Sequence, residues 1–73
     1  MSLRLQKFSP IDREYPIYEI VDESDTPIFD VTRSDDGAYE ITFHDASAGR
    51  SLELEAFLQL VAEARGHLAD EGK

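Results

Sequence analysis

Residues 33–45, RSDDGAYEITFHD, place two adjacent aspartates, a glycine, a histidine and a further aspartate on one short stretch. These are the residue types of a metal loop or an acid–base pair. A calcium loop needs oxygens at alternate positions, a glycine, and then a distal glutamate. SDDG has too few acids at that spacing and no glutamate follows at the right distance, while DESDTP (residues 22–27) lacks the glycine. Zinc needs three or four ligands, with local pairs about two to five residues apart. His44 and His67 are far apart and the chain has no cysteine. His44 beside Asp45 suggests an acid–base couple, but neighbouring residues of a strand point to opposite faces. His44 therefore reads as a surface histidine at a strand end. A nucleophile needs a base and an orienting acid around a pocket, and the serines here lie in turn sequences. The four glycines are scattered, so no glycine-rich phosphate loop exists. No catalytic, cofactor-binding or metal-binding residue is assigned, and the chain is expected not to be an enzyme.

The stretch encodes a turn instead. Serine and aspartate bond the local backbone at the first positions of a type I turn, and Gly37 supplies the positive φ that closes a hairpin. AYEITFH (residues 38–44) then alternates, with Tyr39, Ile41 and Phe43 on one face and Glu40, Thr42 and His44 on the other. YPIYEIV (15–21) and IFDVTR (28–33) read as the preceding strands, joined by the turn chemistry of DESDTP. Phe29 and Val31 point one way, and Ile28, Asp30 and Thr32 the other. Residues 1–13 form either a short extra strand or an arm, because LRLQKF alternates before Pro10 interrupts it. SLEL (51–54) allows a further short strand. From Leu54 the period changes to about 3.6 residues, and Leu54, Phe57, Leu58, Val61 and Leu68 mark the apolar stripe of a helix over 54–69. Arg65 falls inside that stripe, as a snorkelling side chain or half of an ion pair.

The fold class is α+β: a three- to four-stranded antiparallel β-meander over 15–54, with one C-terminal amphipathic helix packed on one face. Residues 1–73 form one domain. The expected core is Tyr18, Ile20, Phe29, Val31, Tyr39, Ile41 and Phe43 from the sheet, with Phe57, Leu58, Val61 and Leu68 from the helix.

A chain of 73 residues builds a marginal core, and without cysteine it has no disulfide staple. That favours a homodimer. Tyr15, Ile17, Val21 and Ile28 make an apolar cluster on the sheet face away from the helix, and this cluster is the candidate interface. The net charge is −9, and residues 14–45 hold ten acids against Arg33 alone. Such a field repels nucleic acid and anionic membranes and attracts a basic protein. Asp22, Glu23, Asp25, Asp35 and Asp36 are the candidate surface for that partner. No apolar run approaches the ~20 residues of a membrane helix, and the N-terminus shows no signal-peptide pattern. A cytoplasmic location is expected.

The aromatic strand, acidic turn, IFDV, DDGAYEITFH and SLELEAFLQLVAEAR occur in an order that resembles small uncharacterised bacterial proteins built as a β-meander plus C-terminal helix. Several immunity proteins of polymorphic toxins look similar. The resemblance covers residues 15–69 as a pattern of residue types and carries no functional residue over. The expected function is a protein–protein interaction or assembly module. The alternative is an acidic immunity or antitoxin-like protein that covers a basic toxin surface.

Overall fold

A computed structural model of the chain describes residues 2–71; Met1, Gly72 and Lys73, at the ends of the expected 1–73 domain, lie outside them. Four strands, β1 (Arg4–Phe8), β2 (Ile17–Val21), β3 (Pro27–Arg33) and β4 (Tyr39–Phe43), are followed by a 3₁₀ turn (Asp45–Ser47) and one helix, α1 (Leu54–Glu71). The strands form one antiparallel meander in the order β1-β2-β3-β4. This is the α+β arrangement that the alternating strands and the late helical period imply. The N-terminal segment is a strand rather than an arm. Ser51–Glu53 are not a strand; Leu54 opens the helix directly. α1 continues through Gly66 to Glu71 instead of stopping near residue 69.

Both acidic turns are built alike. Gly37 N–H donates to the Ser34 carbonyl (2.9 Å) and Ser34 N–H to the Ala38 carbonyl (2.8 Å). Asp25 N–H donates to the Asp22 carbonyl (3.0 Å) and Asp22 N–H to the Thr26 carbonyl (3.1 Å). Gly37 carries the positive φ of +92° in one; Asp25, at +61°, holds the same place in the other. Aspartate tolerates that conformation better than most residues but less freely than glycine.

Cross-strand register puts Leu5 opposite Ile20, Tyr18 opposite Val31, Phe29 opposite Phe43 and Val31 opposite Ile41. Opposite residues share a face, so every strand sends apolar side chains toward α1. The helix covers only part of that face. Tyr18, Ile20, Phe29 and Val31, from β2 and β3, are buried with Ala64 and Leu68. Leu3, Leu5, Phe57, Leu60 and Val61 pack partly buried around them. The expected core members Tyr39, Ile41, Phe43 and Leu58 are exposed. A helix is about 10–12 Å across and strands lie about 4.8 Å apart, so one helix roofs two to three strands. β4 is left outside.

The far sheet face also differs from expectation. The β2–β3 register slips by one residue between Ile20 and Val21, and both Val21 and Ile28 are completely buried. The 3₁₀ turn and the segment after it run close to β3, and Arg50 reaches Asp22 (3.0 Å). Thr32 donates from its hydroxyl to the Pro16 carbonyl (3.0 Å).

Candidate interaction surface

β4 is exposed along all of its five residues, although Tyr39, Ile41 and Phe43 are large and apolar. Their exposures are 36%, 40% and 57%, and beside them Leu54 and Leu58 on α1 are 64% and 50% exposed. The helix explains the pairing. Phe57, Val61, Ala64 and Leu68 follow a stripe that points down into the sheet. Leu54, Leu58 and Arg65 stand roughly 60–100° round the helix axis, given about 100° per residue, and turn toward the β4 side. Between strand and helix runs a groove of about 270 Å³ lined by Val31, Tyr39, Glu40, Ile41, Phe57, Val61 and Arg65. An aromatic cluster floors one end. Phe29 contacts Phe57 at 5.1 Å and Phe43 at 5.9 Å between ring centroids, and Phe43 stacks with Phe57 at 6.5 Å.

The other end is cationic. The Arg33 guanidinium lies over the Tyr15 ring (5.1 Å) and over the Tyr39 ring (5.3 Å), and Arg65 lies over Tyr39 (5.0 Å). Arg65 thus stacks on an aromatic ring where an ion pair or simple snorkelling was expected. Among the described residues neither arginine forms a salt bridge. Guanidinium over an aromatic face is a favourable contact of about 0.5–1 kcal/mol at an exposed site. It also keeps two of the chain's seven Lys and Arg residues at the rim of this surface.

The cluster expected at Tyr15, Ile17, Val21 and Ile28 does not form an open patch. Val21 and Ile28 are buried, Ile17 is half-buried, and Tyr15 packs partly buried against the core and Arg33. The expected acidic surface is divided. Asp22 is buried, and its carboxylate accepts from the backbone N–H groups of Ser24 (2.8 Å) and Thr26 (3.1 Å) and from Arg50. The Thr26 N–H is the main cause of a carboxyl held below its usual range, with the Ser24 N–H and Arg50 adding to it. Asp25 pairs with Arg4. Asp36 accepts from the Ser34 hydroxyl, which is the chief reason its carboxyl is also held low, and from the Ala38 N–H. Glu23, Asp25, Asp35 and Asp36 remain on the surface.

Two polar clusters were not anticipated. His44 Nε2 lies 2.9 Å from Asp30 Oδ2. Alternation alone put both residues on the same sheet face, and pairing the two strands of the hairpin makes them diagonal neighbours. The Ser47 hydroxyl donates to the His44 carbonyl (2.6 Å), not to the imidazole, so the histidine, aspartate and serine do not line up as a nucleophilic relay. At the β1 side, Glu71 accepts from Lys7 Nζ (2.6 Å) and from the Tyr18 hydroxyl (2.6 Å), and His67 stacks on Tyr18 at 5.3 Å. The Lys7 contact, then the Tyr18 contact, holds the Glu71 carboxyl below its usual range. Burial, and then the bond to Glu71, pushes the Tyr18 phenol up to about 12. This cluster pins the end of α1 to β1 and β2. Nothing in the sequence pattern signals it, because its partners are 53 and 64 residues apart.

Among the described residues no three His, Asp or Glu side chains converge to hold a metal, and no helix is long and apolar enough to cross a membrane. No model of a known protein family, no curated protein and no solved structure matches this chain.

Proposed function

We propose that the protein is a non-enzymatic interaction or assembly module that works by protein contact through the face made of β4 and the adjoining flank of α1. The observation that carries this reading is a strand whose three large apolar side chains sit on the core side of the sheet and remain exposed. A contiguous apolar surface rimmed by polar groups marks a contact site, and a bare sheet edge beside it offers backbone hydrogen bonds as well. The test is capture from an extract of the source cell on the immobilised chain, beside a Phe43→Ser/Leu58→Ser variant. The reading expects a protein, or further copies of the chain itself, held by the parent and lost in the variant. Equal retention by both would overturn it.

A further inference from the structure

The occupant of this face is identified by the backbone of β4. In an antiparallel ladder, successive residues turn their N–H and C=O groups alternately toward one neighbour and the other. His44 N–H donates to the Ile28 carbonyl (2.9 Å), and the Ala38 carbonyl accepts from Ser34 N–H. The even-numbered residues therefore face β3. Tyr39, Ile41 and Phe43 turn their N–H and C=O groups outward, to an edge at which the sheet ends.

We infer that a second copy of this chain pairs antiparallel along β4, with Ile41 of each copy facing Ile41 of the other across a two-fold axis. The inference rests on the contact-module reading above and names its partner. In this register Tyr39 of one copy faces Phe43 of the other, so every outward N–H meets an outward C=O. Glu40 faces Thr42 of the second copy, and no like charges are opposed, which a cross-strand pair requires. The sheet becomes eight-stranded, and the row of Tyr39, Ile41 and Phe43 runs on into the same row reversed. Because Arg65 lies at the Tyr39 end and Leu54, Leu58 and Phe57 at the Phe43 end, the two-fold axis sets the cationic end of one groove beside the most apolar end of the other.

Charge and area agree with this partner. Copies carrying −9 each repel, and they meet here at the surface where Arg33 and Arg65 are stacked and Glu40 is the one acid of β4. At roughly 200 Å² for a large side chain, the exposed parts of Tyr39, Ile41, Phe43, Leu54 and Leu58 amount to about 500 Å² per copy. A pair then buries about 1,000 Å², the size at which specific interfaces begin.

The chain has no native cysteine, so one substitution reads the register. Directly opposed residues of a hydrogen-bonded pair have Cα atoms about 5.5 Å apart, within the range a disulfide spans. Ile41→Cys should oxidise to a covalent dimer at micromolar concentration, at least tenfold faster than Ile11→Cys, which is fully exposed and off this face. Sedimentation equilibrium should give a dimer for the parent and a monomer for Ile41→Lys, with the far-ultraviolet circular dichroism of the parent retained. Should the lysine variant unfold, the rate ratio of the cysteine variants decides alone. A monomer across a hundredfold dilution range overturns the second copy and leaves the contact-module reading to the capture experiment. A dimer in which Ile41→Cys is no faster than Ile11→Cys overturns this pairing while keeping a contact module.

Discussion

The two edges of the sheet are treated in opposite ways. β1 carries Arg4, Gln6 and Lys7, and each is engaged: Arg4 with Asp25, Gln6 with Glu19 (3.2 Å), Lys7 with Glu71. Of its two apolar residues, Leu5 packs against the core and Phe8, at the strand's end, is 51% exposed. Charged side chains on an edge discourage pairing with another chain. β4 carries one acid and three large apolar residues, and it meets the helix through ring contacts, Arg65 over Tyr39 and Phe57 against Phe43, with no ion pair among the described residues. α1 is fastened to the β1 side by Glu71 and leans away from β4. An edge that is protected and one that is bare, in the same small sheet, show that exposure of β4 is not a general looseness of the fold. Among the described residues the other exposed large apolar side chains are Phe8 and Ile11, while the contiguous row lies on β4 and one helix flank.

The largest effect that can break this comparison is on stability. Phe29 is fully buried under α1, and truncating such a side chain costs about 3–5 kcal/mol, comparable to the whole stability of a small domain. Phe29→Ala should be largely unfolded at 37 °C. Phe43→Ala, at the facing position on β4, should cost about 1 kcal/mol or less when measured on dilute monomer by urea denaturation. Similar losses at the two positions would mean that β4 is as well covered as β3.

These two phenylalanines also mark where the sequence stopped being legible. Alternation assigned Phe29, Val31, Tyr39, Ile41 and Phe43 to one face, and that assignment holds. It gave no measure of how many strands a single helix can roof, so Phe43 and Ile41 read as core beside Phe29. Ile28 failed differently: it is completely buried where the 3₁₀ turn and the segment after it pack against β3, beside a one-residue slip in register that no local residue type announces. The turn at Ser34–Gly37 was readable because only a glycine there supplies the φ at no steric cost. The Tyr18–Glu71 contact, joining β2 to the last turn of α1, had no pattern to read.

That contact gives the next effect in size. Replacing Tyr18 by Phe removes a hydrogen bond to a carboxylate, worth about 1.5–3 kcal/mol when shielded, and with Glu71 partly exposed the cost at pH 7 should lie at the lower end of that range. It should also change the alkaline limb. The phenol is raised from its ordinary 10.0 to about 12 in the folded chain, so between those values the folded state holds a proton that the unfolded state has lost. The contribution is complete below pH 10 and disappears as the pH rises toward 12. Thermal melting against pH from 9 to 12 should fall more steeply for the parent than for Tyr18→Phe. Parallel curves would mean that the β1 side is not clamped in this way, and the contrast between the edges would narrow.

The smallest effect separates the two kinds of partner that an acidic chain can take. Two copies at −9 repel each other wherever they meet, so added salt should tighten their association. A basic protein seated on Glu23, Asp35 and Asp36 would behave in the opposite sense, losing both steering and affinity as salt screens the attraction. The Debye length shrinks from about 30 Å at 0.01 M to about 3 Å at 1 M, and most of the acids lie outside β4 and the groove. Their repulsion is therefore weak, long-ranged and fully screened at the upper end. The dimer dissociation constant, followed by sedimentation equilibrium over that range, should fall by less than about tenfold, which is below about 1.4 kcal/mol. Glu40→Gln removes the one acid carried by the pairing strand and should reproduce part of the gain at low salt and none at high salt. A dissociation constant that rises with salt would mean that attraction between opposite charges holds the copies together, and the contact would then belong to the acidic turns rather than to the apolar edge.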